Sequence, residues 1–170
     1  MIPVVHLVGP GGAGKTSVGI SLAGRLGWHF VDLDQRFMAC EGDITACIEA
    51  HGYAGYARRN VSTYLQTKSA LAAPAVCALS SGFMTYPADV DTRYPALRSS
   101  IESDALTALP LPAFDLETCV DIIVKKQLSR PYLSGSRANE ESRIRARFPR
   151  FMALQCTRFR SDAEPDHTAS

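Results

Sequence analysis

Apolar side chains in this chain come in short bursts separated by polar, glycine-containing segments, and the bursts alternate between two spacings. Ile2-Pro3-Val4-Val5-His6-Leu7-Val8 is a β-branched apolar run bounded by glycine, which predicts a buried strand. Val18, Leu22 and Leu26 then recur at helical spacing, with Ile20 and Ala23 beside them. Trp28-His29-Phe30-Val31 is a second strand, ending in Asp32-Leu33-Asp34, and residues 35–69 form a helical region with glycine breaks. Ala75-Val76-Cys77-Ala78-Leu79 is a third strand running into Ser80-Ser81-Gly82. After a proline-containing stretch, the pattern predicts a helix over 95–103 and a fourth strand over 105–109. A helix over 116–128 carries Leu116, Val120, Ile123 and Val124 on one face, and a loop over 129–139 leads to a last helix over 140–154. Strands alternating with helices give an α/β fold, a parallel sheet covered on both sides. Ligands of such sheets bind at the carboxyl ends of the strands, so the loops after the first three strands share one cleft.

The first of these loops carries the most specific chemistry. Gly9-Pro10-Gly11-Gly12-Ala13-Gly14-Lys15-Thr16 fits G-x-x-x-x-G-K-[ST] and stands between a strand and a helix, the order that a phosphate-binding loop requires. Glycines let backbone N–H groups turn inward to form an anion nest, and the helix beginning near Lys15 directs its positive end at the same place. Lys15 reaches the β- and γ-phosphates of a nucleotide, and the Thr16 hydroxyl is suited to Mg²⁺.

Size and charge narrow the picture. With 170 residues the chain is long enough for a single α/β domain, and no repeat or interdomain linker divides it. Residues 1–160 are read as one domain; the polar tail 161–170 contains proline, lacks large apolar residues and is expected to be disordered. A formal net charge of +1 argues against a protein that coats nucleic acid. Basic residues nevertheless crowd the last third, including Lys125, Lys126, Arg130, Arg143, Arg147 and Arg150. These read as a solvated helix face or as clamps for phosphate and carboxylate, and no aromatic interleaving accompanies them to suggest nucleic acid. Five cysteines without a C-x-x-C pair predict reduced, mostly buried thiols in a cytoplasmic protein. No stretch has the apolar length of a membrane span, and no signal peptide is expected. His6 reads as a core or sheet-edge histidine, His29 and His51 lack partners at metal spacing, and Trp28 reads as a packing residue.

A second constellation follows the second strand. If the strand continues far enough, period-two alternation puts Asp32 and Asp34 on one side. One carboxylate suits Mg²⁺ and the other a substrate hydroxyl whose proton it accepts; alternatively, Asp34 caps the following helix. Residues 9–16, Gly19, Leu22-Ala23 and the run Leu26-Gly27-Trp28-His29-Phe30-Val31-Asp32-Leu33-Asp34 resemble the first third of shikimate kinases. The resemblance continues at Gly42-Asp43-Ile44, Gly52, Arg130-Pro131-Tyr132-Leu133 and Arg147-Phe148-Pro149-Arg150-Phe151. It implies a P-loop NTPase-type three-layer sandwich with a mostly parallel five-stranded sheet, a lid at about 129–140 and a helical acceptor-binding region at about 35–70. It also implies a monomeric, cytoplasmic enzyme of aromatic amino acid biosynthesis that uses ATP and Mg²⁺ to phosphorylate the 3-hydroxyl of shikimate.

Carried onto this sequence, the resemblance assigns nucleotide binding to Gly11, Gly12, Ala13, Gly14, Lys15, Thr16, Ser17 and Lys126. It assigns the metal to Thr16 and Asp32, catalysis to Lys15, Asp34 and the lid residue Arg130, and the acceptor to Asp34, Arg58, Gly82 and Arg147. Two departures fall in the acceptor half. The family has three glycines where this chain has Ser80-Ser81-Gly82. Counting from Gly52, Tyr53 replaces a family glutamate, Tyr56 a phenylalanine, Ala57 an arginine and Asn60 a later glutamate. Arg58 follows one residue late, turned about 100° around a helix. Residues 83–111, with Tyr86-Pro87 and Tyr94-Pro95, match no motif of assigned chemistry. These departures keep two other readings in play: a kinase for another hydroxy acid such as gluconate, and a nucleotide-binding regulator without catalysis.

Overall fold

The computed structural model describes residues 1–129, 137–162 and 168. Five strands form one wholly parallel sheet: β1 (Val4–Leu7), β2 (His29–Asp32), β3 (Ala75–Ala78), β4 (Thr107–Leu111) and β5 (Thr157–Arg160). Their order across the sheet is β2-β3-β1-β4-β5, so β1, with its loop, lies in the middle. The helices are α1 (Lys15–Leu26), α2 (Leu33–Glu41), α3 (Ile44–Ser69), α4 (Tyr94–Ser103), α5 (Leu116–Leu128) and α6 (Arg137–Met152), with a 3₁₀ turn at Phe83–Thr85.

Alternation along β1 explains why the core has two parts. Leu7 joins Val18, Ala23 and Val76 beneath α1, with Trp28, Phe30 and Phe159 packed around them. Val4 and Val8 point the other way, into the larger cluster that α3, α4, α5 and α6 cover. His6 points to that side as well: it is buried, and Nε2 lies 2.8 Å from the Tyr64 hydroxyl. Gly19 allows α1 to lie close on β2, since a Cβ there would come within 2.5 Å of the Phe30 ring. Trp28 packs, as the sequence predicts, and its backbone N–H, just beyond the C-terminus of α1, donates to the Ala23 carbonyl within that helix.

The elements begin and end on recognisable side chains. Asp32 caps α2, Asp43 caps α3 and Asp115 caps α5, each carboxylate accepting from backbone N–H groups of the first turn. The helical region expected over 35–69 is two helices, and α3 is itself kinked at Gly52, whose φ of 71° is outside the helical range. α6 starts at Arg137, earlier than the predicted 140.

Two strand expectations need correction. The fourth strand lies two residues beyond 105–109 and includes Pro110. The β1 ladder ends at Ala108, so Pro110, which has no N–H, faces a side where no strand needs one. The fifth strand has no counterpart in the apolar pattern, because it is an edge strand with three of four residues exposed and two of them arginine. The expected disordered tail also begins too early: Ser161 is buried, and its N–H donates to the Leu111 carbonyl. The remainder of that tail, apart from Asp162 and Thr168, lies outside the described residues.

Candidate active site

The loop between β1 and α1 has left-handed or otherwise positive φ at Gly9, Gly12 and Gly14 (137°, 78° and 90°), values that favour glycine strongly. Lys15 is the first residue of α1, and its ammonium turns back across the loop, donating to the carbonyls of Gly9 (2.7 Å) and Pro10 (2.8 Å). Two neighbours flank the loop. The end of α5 closes on one side: a Cβ at Gly11 would come within 2.6 Å of Gln127 Nε2, and one at Gly12 within 3.3 Å of Ile123. On the other side, the Ser161 hydroxyl donates to the Ala13 carbonyl at 2.6 Å. Thr16 and Ser17 are exposed at the mouth, and Lys126, next to Gln127, is exposed at the end of α5.

Asp32 joins this loop to the second strand. Its Oδ2 accepts from the Thr16 hydroxyl at 3.1 Å, while Oδ1 accepts from the N–H groups of Asp34 (2.9 Å) and Gln35 (3.3 Å). The helix cap is therefore Asp32 and not Asp34. The alternation that would set both aspartates on one face of a strand does not apply, because β2 ends at Asp32 and helix α2 begins at Leu33. Asp34 sits in the first turn of α2, where its Oδ1 accepts from the Ser80 hydroxyl beyond β3. Burial raises its pKa, while the Ser80 bond and the Lys15 charge hold it down and the Asp32 charge raises it. Two carboxylates of different environment thus flank the loop. Among the described residues no three His, Cys, Asp or Glu side chains gather as a metal cage. Thr16 and Asp32 are instead hard oxygen donors of the kind that Mg²⁺ shares with phosphate and water.

A cluster of tyrosines adjoins Asp34. Tyr53, Tyr56 and Tyr86 pack ring against ring, with centroids 5.8, 5.9 and 6.4 Å apart. Arg147, from α6, donates to the Tyr53 hydroxyl at 3.0 Å and lies 6.0 Å above its ring. Gly82 is packed under this pair: an added Cβ would overlap the Tyr53 hydroxyl and lie 3.2 Å from Arg147 Nη2. Beneath the tyrosines, fully buried Asn60 donates from Nδ2 to Ser80 Oγ and to the Tyr86 hydroxyl, both at 2.9 Å. Burial pushes the Tyr56 hydroxyl up to about 12 and Tyr86 well above the ordinary range, so both remain protonated at neutral pH.

Of the residues singled out in the sequence, Lys15, Thr16 and Asp32 meet at the loop, Asp34 stands beside them, and Gly82 meets Arg147. Arg58 does not join them: its Nε donates to the Val90 carbonyl at 3.0 Å. On α3 the residues in this cluster are Tyr53, Tyr56 and Asn60, at spacings of three and four, and Arg58 projects far to one side of them. Arg59 pairs with Glu41 at 3.0 Å. Arg130 lies outside the described residues, as does most of the expected lid. Sequence reasoning gave no role to Tyr53, Tyr56, Asn60, Ser80, Tyr86, Gln127 or Ser161. Only the substitutions counted from Gly52 and the Ser80-Ser81 pair pointed toward any of them.

Comparison with known proteins adds independent findings. A family model described as shikimate kinase matches residues 11–92. A shikimate kinase of Xanthomonas oryzae pv. oryzae (strain PXO99A) is 42% identical over 62 residues, covering 36% of this chain and 34% of that protein. Shikimate kinase 2 of Escherichia fergusonii is 37% identical over 83 residues, covering 48% of this chain and 44% of the relative. The chain thus matches about a third to under half of the length of these curated relatives. Among solved structures, shikimate kinase from Acinetobacter baumannii in complex with shikimate superposes with a TM-score of 0.72 at 22% identity, over 99% of this chain and 89% of that one. Shikimate kinase from Bacteroides thetaiotaomicron gives 0.74 at 17% identity, over 99% and 95%. At these identities the superpositions speak for the fold, a five-stranded parallel sheet flanked by helices.

Proposed function

We propose that the chain is a member of the shikimate kinase family, whose model matches residues 11–92, and that it transfers the γ-phosphoryl group of ATP to a hydroxyl of a small hydroxylated carboxylic acid, with shikimate the acceptor. The observation that carries this reading is the bond between Thr16 and Asp32 with Asp34 and Lys15 beside it. It sets the glycine loop, two hard oxygen donors and a half-buried carboxylate beside one another, which supports this reading. Bound Mg²⁺ would neutralise charge on the β- and γ-phosphates, with Thr16 and Asp32 as its protein-side holders. Lys15, released from the Gly9 and Pro10 carbonyls, pairs with the same phosphates. Gly11, Gly12, Ala13, Gly14 and Ser17 supply backbone N–H groups, and Lys126 and Arg130 add positive charge at the nucleotide side. Asp34 orients the acceptor hydroxyl and receives its proton, while Arg147 grips the acceptor carboxylate from beside Gly82.

The test is steady-state ADP release with ATP, Mg²⁺ and shikimate. Shikimate-dependent turnover supports the reading; ATP binding without it removes shikimate as acceptor. One observation favours a second acceptor, another hydroxy acid such as gluconate: Ala57, where the family has an arginine, is fully buried, while Arg58 is held at the Val90 carbonyl. A panel of hydroxy acids in the same assay separates the two.

A further inference from the structure

We propose that Tyr53 is a second holder of the acceptor's carboxylate: its hydroxyl, which accepts from Arg147, gives its own proton to the acid, so that phenol and guanidinium grip one carboxylate side by side. The inference rests on the reading of Arg147 as the residue that meets that carboxylate.

Donors outnumber acceptors at this contact. Arg147 Nη2 donates to the Tyr53 hydroxyl at 3.0 Å. A phenol that accepts in this way still has one proton to give, and among the described residues that proton finds no acceptor. Burial raises the Tyr53 pKa against the opposing charges of Arg147, Arg143 and Arg150, so the hydroxyl keeps its proton at neutral pH. Arg147 is left over in the same way. Along α6, Arg137, Arg143 and Arg145 each pair with a carboxylate, and Arg150 donates to the Thr85 carbonyl. Arg147 has no carboxylate partner among the described residues. A carboxylate, with two oxygens in one plane, answers an N–H and an O–H that stand beside one another.

The setting suits a small acid. Tyr56 and Tyr86 hold the Tyr53 ring, yet 40% of the residue remains exposed to solvent. Gly82 permits the contact, since a Cβ there would overlap the Tyr53 hydroxyl and lie 3.2 Å from Arg147 Nη2. Tyr56, whose ring centroid is 5.8 Å from that of Tyr53, feels the charge of Asp34. One aromatic ring thus separates the pair from the carboxylate assigned to the acceptor hydroxyl, as an acid with its two functional groups at opposite ends requires. A neutral polyol would leave both donors unanswered, so the pair selects for acids.

The test compares the accepted acid, shikimate or gluconate, with its methyl ester. Tyr53→Phe keeps the ring packing. At saturating ATP it raises the KM for the acid about tenfold, as expected for one hydrogen bond to a charged group, and leaves the KM for the ester within about twofold. In an Arg147→Gln background the same substitution raises the acid's KM again, which a hydroxyl that only steadied the guanidinium would not do. A second readout needs no turnover. In protein carrying carbon-labelled tyrosine, the Cζ resonance that Tyr53→Phe removes moves when the acid is added with ADP present, and stays in place with the ester. Equal KM values for the acid in the unsubstituted and Tyr53→Phe proteins overturn the proposal and leave the kinase reading standing. A loss shared equally by the ester, no further loss in the Arg147→Gln background, or a Tyr53 resonance that neither acid moves also overturns it. A protein that phosphorylates no hydroxy acid but shows the resonance shift with the acid alone loses the kinase reading and keeps this one.

Discussion

Lys15 donates to two carbonyls of its own loop, and that posture sets what its removal does. Lys15→Ala leaves two carbonyls without a charged donor, costing on the order of 1 kcal/mol of stability, whereas loss of the phosphate-facing charge lowers kcat by about a hundredfold or more. Denaturation curves and ADP-release assays on the same preparation give both numbers. Asp34→Asn lowers kcat while leaving ATP affinity in place, because Asp34 bonds to Ser80 and not to the phosphate loop; an unchanged kcat removes its role. His6 makes a different kind of prediction. Burial lowers its pKa from 6.5 to about 4, with the Lys68 charge adding to the effect and Asp104 opposing it. The unfolded chain therefore binds the proton first. Stability is complete above about pH 6.5, falls as the pH drops toward 4, and levels off below that, a loss on the order of 3 kcal/mol. Urea midpoints across that range should flatten in His6→Leu. At this scale the loop lysine, threonine and aspartates were legible because each stands in a motif of fixed spacing. Asn60 and Tyr86 were not, because a buried polar network is defined by side chains far apart in sequence.

Elements decide which way these side chains face. α3 is the clearest case: Gly52, with its positive φ, breaks the helix just before Tyr53, and the segment after it brings Tyr53, Tyr56 and Asn60 into the tyrosine cluster. Gly52→Ala puts a Cβ at φ 71°, costing about 1 kcal/mol, and denaturation with near-ultraviolet circular dichroism of the tyrosine cluster reports the change. Gly82→Ala acts on the other wall. Its methyl overlaps the Tyr53 hydroxyl and crowds Arg147, so the acceptor KM rises by about tenfold with ATP affinity unchanged, an effect of about 1.4 kcal/mol that acceptor titrations at saturating ATP would measure. Helices with an apolar stripe, such as α5, stood out in the sequence, and its bounds agree with the expectation of 116–128. β5 was hidden because half-exposed arginines at a sheet edge carry no apolar period. The Asp32-to-Asp34 turn was misread because a strand that stops at its capping residue looks, in sequence, like a strand that continues.

Across the whole molecule, the parallel order β2-β3-β1-β4-β5 brings the ends of β1, β2 and β3 together, which is why loops far apart in sequence form one cleft. The α/β class followed from alternation alone; the strand order did not, since nothing in a local pattern says which strands are neighbours. The edge strand adds a contact that no motif announced. Ser161, just past β5, ties the last described stretch of sheet to the Ala13 carbonyl of the first loop. Ser161→Ala removes one hydrogen bond on that loop and weakens nucleotide binding by a few-fold to tenfold, measurable by calorimetry with ADP. No helix among the described residues is long and apolar enough to cross a membrane.

Trp28 is the single tryptophan of the chain. Its indole packs in the small cluster under α1, the helix that Lys15 and Thr16 begin. Any ligand that shifts that helix against the sheet must therefore change the surroundings of one intrinsic fluorophore. Emission wavelength and quenching by iodide or acrylamide then become a label-free readout of loop occupancy, with no competing tryptophan to subtract.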